Sequence, residues 1–197
     1  MKRFLSFVII IGLLVTGLFL FTPKNESSPS LVAQTPLSPS SIPSQPVRQV
    51  GIPKKLVIEK LSIDADIESV GLDSEKRMDV PKKSENVGWY MLGFKPGEKG
   101  SAVIDGHFDK ATGAPAVFYN LSQLAPHDLV KIVDAQNRTY TFQVTRSEMY
   151  DFDKLPLKEI FDSRDRGRLN LITCDGVFDQ TSKNYSKRLV VYTELVE

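Results

Sequence analysis

The chain has one cysteine, Cys174, at the end of the apolar run Leu171-Ile172-Thr173-Cys174, and two histidines, one of which, His107, directly follows Gly106. Arg188 lies further downstream. A thiol is the most nucleophilic side chain for attack on a carbonyl near neutral pH, provided an imidazole manages its proton. An arginine, always charged and rich in donors, can hold a substrate backbone or a developing oxyanion. Together these are the parts of a thiol acyl transferase. Singly, each has a plainer reading: a small buried hydrophobe, a satisfied polar residue in a turn, and a solvent-facing edge residue.

Compartment favours the chemical reading. Met1-Lys2-Arg3 precedes Phe4 to Phe21, 18 uncharged residues interrupted only by Ser6, Gly12, Thr16 and Gly17. This is membrane-targeting sequence outside the fold. The length is close to the ~20 residues that span a bilayer. The nearest small-residue cleavage pattern, Leu31-Val32-Ala33, lies well past the apolar stretch, so residues 1–21 are expected to remain as an uncleaved anchor rather than a removed signal. Basic residues at the short N-terminal end place that end in the cytoplasm and the remainder in the extracytoplasmic space. An exported chain normally pairs its cysteines or lacks them, so an unpaired one suggests a thiol kept for chemistry.

Residues 22–50 hold six of the twelve prolines and seven serines, with single apolar residues and no periodicity. That composition cannot bury a core, so residues 22–51 are expected to form a disordered extracytoplasmic linker. Residues 52–197 are enough for one domain with one core. The net charge of +1, from 25 basic and 24 acidic residues spread along the chain, argues against a nucleic-acid surface.

Strand-type runs occur at Lys55–Leu61, Ala102–Ile104, Leu129–Val133, Thr139–Thr145, Arg168–Thr173 and Leu189–Leu195. Tyr140, Phe142 and Val144 alternate with threonines and glutamine, as a half-buried strand requires. Asp134-Ala135-Gln136-Asn137 before them is a turn. The spacing of Val117, Leu121 and Leu124 predicts a helix over Ala116–Leu124 after Pro115, and a second short helical turn over Pro156–Phe161. Many short strands and few helices suggest a mostly β domain, a closed barrel or a sandwich. Strand ends meeting at one groove would bring His107, Cys174 and Arg188 together.

Gly88-Trp89-Tyr90, Gly106-His107-Phe108-Asp109, Ala116-Val117-Phe118-Tyr119, Leu171-Ile172-Thr173-Cys174 and Arg188, in this order, resemble a sortase, most closely the class F group. The resemblance covers the chain from about residue 54 to the C-terminus and extends to the N-terminal anchor and tether. It implies a closed eight-stranded β-barrel with short helices and a cysteine transpeptidase that needs no cofactor. Such an enzyme cleaves an LPXTG-like sorting signal on secreted proteins through a thioacyl intermediate. It then passes the acyl group to a cell-envelope amine such as a cell-wall precursor. Carried across by motif, Cys174 is the nucleophile, His107 the acid and base, and Arg188 the third member.

One departure stands beside the nucleophile: Asp175-Gly176 occupies the place of the Gly-Gly expected for class F. A carboxylate pointing inward there disfavours a thiolate; one that caps a turn does not. Asp109 is a candidate to orient the imidazole, and Thr173 to shape the substrate groove. His127, in a turn, is expected to be inert. The segment from Arg146 to Arg168, with Tyr150, Phe152, Leu155, Pro156, Leu157 and Phe161, is a candidate pocket for an apolar peptide, with Asp175–Lys187 as the opposite wall. Asp64, Asp66 and Glu68 alternate along an extended stretch and are expected to face solvent rather than a metal. Two other classes share parts of this pattern: an envelope cysteine peptidase that releases the acyl group to water, and a noncatalytic peptide-binding barrel.

Overall fold

The computed structural model describes residues 49–196, so the expected anchor and nearly all of the expected linker lie outside the described residues. Eight strands close into a barrel in the order β1-β2-β3-β4-β7-β8-β6-β5. In chain order they are β1 (Pro53–Ile58), β2 (Ile63–Val70), β3 (Val87–Tyr90), β4 (Gly100–Gly106), β5 (Leu129–Asp134), β6 (Thr139–Asp151), β7 (Gly167–Asp179) and β8 (Asn184–Leu195). One α-helix, α1 (Leu157–Asp162), lies between β6 and β7. The barrel, rather than a sandwich, follows from continuous pairing that leaves neither β1 nor β5 as a free edge.

Pairing is antiparallel except at β2–β3 and β4–β7, which are parallel. A parallel pair cannot be joined by a tight hairpin. Each therefore needs a long connection, and residues 71–86 between β2 and β3 supply one that returns over the outside of the barrel.

Alternation along the strands separates two apolar clusters. Ala102 and Ile104 of β4, Leu169 and Leu171 of β7, and Leu189 and Val191 of β8 point into the barrel, where they pack with Leu56, Ile58, Phe118, Ile132 and Phe142. The intervening residues Val103, Ile172, Val190 and Tyr192 form a second cluster on the outer face, covered by Ile160 of α1. Because side chains alternate with period two, Asp105, His107, Cys174 and Arg188 share this outer face.

Two expected features differ. Ala116–Leu124 is not an α-helix but a series of turns ending in the 3-10 turn Leu121–Gln123. Its own backbone bonds run from residue i+3 to residue i, Tyr119 to Ala116, Leu121 to Phe118 and Leu124 to Leu121, so it winds as successive turns, while the Ala116 and Phe118 amides tie it to the Phe108 and His107 carbonyls. Leu121 and Leu124 are buried all the same. Cys174 is not at a strand end either: β7 runs five residues past it, with an irregularity between Asp175 and Phe178, and β8 begins at Asn184.

Phe118 closes the barrel against Gly106. A Cβ at Gly106 would lie 2.5 Å from the Phe118 ring, closer than any real contact. Gly106→Ala is therefore expected to lower stability by about 1–3 kcal/mol through overpacking. Thermal unfolding reads this directly, and an unchanged midpoint would show that Phe118 yields without cost.

Candidate active site

Cys174 and Arg188 are cross-strand neighbours: β7 and β8 pair antiparallel with Cys174 opposite Arg188. On the other side, β4 pairs parallel with β7, with Asp105 opposite Ile172. Continuing that register by two residues brings His107 level with Cys174. All three predicted residues thus stand side by side on one face, on three adjacent strands or their direct continuation.

Each is held differently. Thr173, buried at 3 % exposure, points into the barrel and donates to the Gly106 carbonyl at 2.8 Å. This contact locks the strand before the nucleophile to the strand before the histidine. Thr173 therefore supports the site from beneath and does not line the substrate groove. His107 Nε2 lies 2.9 Å from the Pro81 carbonyl. A carbonyl only accepts, so Nε2 carries the proton of that bond and Nδ1 is outside it.

Pro81 is fixed in turn by Glu68 of β2, whose carboxylate accepts from the Lys82 and Lys83 amides and from Asn86 Nδ2 at 3.0, 3.3 and 2.9 Å. These bonds hold the Glu68 carboxyl below the usual range, with the Lys82 amide contributing most. Asp64 meets Lys55 instead.

Arg188 is anchored through both terminal nitrogens. Nη1 donates to the Tyr185 and Lys187 carbonyls at 3.1 and 2.8 Å, and Nη2 to Asn184 Oδ1 at 2.6 Å. Asp109 accepts a 2.5 Å bond from the Tyr185 hydroxyl. The Pro81 carbonyl, not Asp109, orients the imidazole, while Asp109 ties the loop after His107 to the β7–β8 hairpin. The bond to Asp109 pushes the Tyr185 phenol up to about 12, since ionisation would place two anions together. Phe108 stacks between Tyr119 and Tyr185, and Tyr185 meets Phe178.

Burial pushes the Cys174 thiol up, Arg188 pulls it back down, and Asp105, Asp109 and Asp175 push it up further. The resting thiol is therefore protonated at neutral pH. Asp175 Oδ1 accepts from the Gly176 amide at 2.5 Å, and Gly176 adopts φ +85°, a left-handed conformation suited to glycine. The Asp-Gly pair thus sits at the irregularity within β7 rather than in a turn, and Asp175 is the last of the groups acting on the thiol. Asp175→Gly is expected to move the pH midpoint of thiol alkylation only slightly downward; a large shift would mean the carboxylate acts directly on Cys174.

Beside this triad, Tyr150, Leu155 and Phe161 pack on the outer cluster with Met78 and Tyr90. Phe152 and Leu157 stay exposed. Across the outer face, Arg146 lies over the Tyr192 ring at 3.7 Å and bridges Glu148 and Glu159, both at 2.5 Å. On the segment expected to form the pocket, Tyr150, Leu155 and Phe161 therefore seal the outer cluster, with Arg146, Glu148 and Glu159 as a charged rim. The opposite wall is the β7–β8 hairpin, with Val177 exposed at its bulge.

Sequence reasoning did not single out Pro81 or Asp105, and it expected Glu68 to face solvent, whereas Glu68 is half-buried and bonded to the Lys82 and Lys83 amides and Asn86. Pro81 and Glu68 act through backbone bonds that no motif encodes, and Asp105 differs from any other strand aspartate only by what covers it.

The Sortase domain family matches residues 56–196. The chain belongs to the sortase family. It is a cysteine transpeptidase, and its barrel is that of other sortases. Sortase C-1 from Actinomyces oris superposes with a TM-score of 0.57 at 23% identity, covering 73% of this chain and 71% of that one. Sortase A from Corynebacterium diphtheriae, a lid mutant, gives 0.58 at 21% identity over 77% and 74%. A Clostridium perfringens Sortase D5 transpeptidase gives 0.55 at 20% identity over 75% and 79%. No curated protein sequence matches the chain.

Proposed function

We propose that this sortase cleaves an LPXTG-like sorting signal on secreted proteins and transfers the new carboxyl end to a cell-envelope amine, as its class F-like motifs imply. The observation that carries the reading is the side-by-side placement of His107, Cys174 and Arg188 on the outer face of three adjacent strands or their continuation. Cys174 attacks the scissile carbonyl, Arg188 supports the charge that develops on its oxygen, and His107 gives a proton to the departing amine. Transfer reverses the order: His107 takes a proton from the incoming amine, which attacks the thioester and frees the thiol.

Residues 1–21 would anchor the enzyme in the cell membrane with the catalytic domain outside, and residues 22–51 would set its reach. A mature chain beginning near Gln34 would overturn the anchor.

The test incubates the full chain, in mild detergent, with fluorogenic LPXTG-type peptides, with and without an amine acceptor, beside Cys174→Ala. Cysteine-dependent cleavage with an amine-linked product is expected. Cleavage that amine leaves unchanged would indicate a hydrolase. Absence of cleavage by a folded enzyme would overturn the signal.

A further inference from the structure

Asp105 is the one charged-type residue on the outer face of β4 that the reaction above does not use. It stands two residues before His107, opposite Gly88 of β3 and Ile172 of β7, and is therefore diagonal to Cys174. Its Oδ1 is buried without a hydrogen-bond partner among the described residues. The space it fills exists because position 88 is glycine: a Cβ there would lie 2.4 Å from Oδ1 and 3.2 Å from the Pro81 ring. The Asp105 carboxyl, the Pro81 ring and the imidazole held by the Pro81 carbonyl thus share one corner of the site.

Its surroundings oppose a charge. Glu68 on β2 and Asp79 on the 71–86 connection both add negative potential, and burial pushes the Asp105 carboxyl well above the usual range, more than either neighbour does. Glu68 is committed to the Lys82 and Lys83 amides and Asn86 and so remains an anion. The groups near the reacting face are His107 just past the end of β4, Cys174 on β7, Arg188 across from it on β8, and the carboxyls of Asp109 and Asp175, which also act on the thiol. A carboxylate whose buried oxygen meets no donor is costly, which favours the protonated form of Asp105.

We propose that Asp105 is a positioning residue for the Cys174–His107 pair: a carboxyl that fills the corner beneath Pro81 as a neutral group and opposes the thiolate once it ionises. This rests on Cys174 and His107 being the reacting pair. Neutral, Asp105 leaves Arg188 as the dominant charge felt by the thiol. When alkaline pH draws its proton into solvent, a negative charge appears diagonal to Cys174 and thiolate formation is penalised. The same residue thereby stabilises the corner that holds His107 and sets an upper limit to thiol reactivity.

The test follows Cys174 alkylation by iodoacetamide against pH in the full chain, wild type beside Asp105→Asn. No substrate is needed, so failure of the proposed sorting signal does not affect it. The expected result is coincident rates on the acid side and a thiol midpoint lowered by about one pH unit in the variant, the size of a single charge at this range. Profiles that coincide throughout would overturn the proposal. Should Asp105→Asn fail to fold, the wild-type protein with carboxyl-labelled aspartate decides by infrared spectroscopy. A protonated aspartate carbonyl band at neutral pH that disappears on raising the pH is expected, and its absence would overturn the proposal.

Discussion

Cys174→Ala is expected to abolish acyl-enzyme formation, and His107→Ala to lower kcat/KM by about a thousandfold or more, at the upper part of the range for a positioned acid and base. Neither change should disturb the fold. Cys174 is half-buried on the outer face, away from the core of the barrel, and the His107 side chain bonds only the Pro81 carbonyl among the described residues. The control is His127→Asn. His127 is exposed, and its φ of +79° suits asparagine. Its backbone amide bonds the Val144 carbonyl whatever the side chain. Turnover should survive that change, and mass spectrometry of the trapped thioacyl adduct should find it on Cys174 alone. A dead His127 variant beside an active His107 variant would reverse the assignment.

Arg188 offers the second large effect, because its charge and its shape can be separated. Arg188→Gln removes the one group that pulls the Cys174 thiol down, so the alkylation midpoint should move to higher pH by about one to two units. Arg188→Lys keeps the charge and should leave that midpoint nearly in place. Lysine cannot, however, bond Asn184 Oδ1 and the two carbonyls at once in the fixed plane that guanidinium provides. Turnover in the lysine variant should therefore fall by about 10²–10³, the usual loss when an oxyanion donor is removed. Full activity in Arg188→Lys would reduce the residue to a source of potential.

Cys174 and His107 could be singled out because the chain has one cysteine and two histidines, whereas Arg188, one of nine arginines, stood out only through the ordered set of motifs. Tyr140, Phe142 and Val144 could be placed on one face because alternation is local and survives folding. What remained hidden depends on contacts distant in sequence. β3 is four residues long and contains Gly88, too little for a pattern, and β2 interleaves Asp64, Asp66 and Glu68 with its apolar residues. The helix expected over Ala116–Leu124 had the right apolar spacing. Its first amides are instead tied to the Phe108 and His107 carbonyls, and the segment winds in tight i+3 turns against the chain before it, a constraint that exists only once the loop has closed. Asp109 could be expected near the imidazole from its position two residues away, but β8 offered it the Tyr185 hydroxyl. A strand reverses side-chain direction at every residue, and no spacing says which partner waits on the other side.

The parallel seam between β4 and β7 has a consequence for how this molecule comes to life. Thr173 and the Gly106 carbonyl, 67 positions apart in the chain, are bonded across it. Contacts of such separation form late and slowly, because the entropy of closing the intervening loop must be overcome before they contribute. Hairpins such as β5–β6 and β7–β8 can form first and carry no chemistry, for neither contains the histidine. The pairing of His107 with Cys174 comes into being only when β4 joins β7, so a chain with just its β7–β8 hairpin formed carries Cys174 beside Arg188 without the histidine.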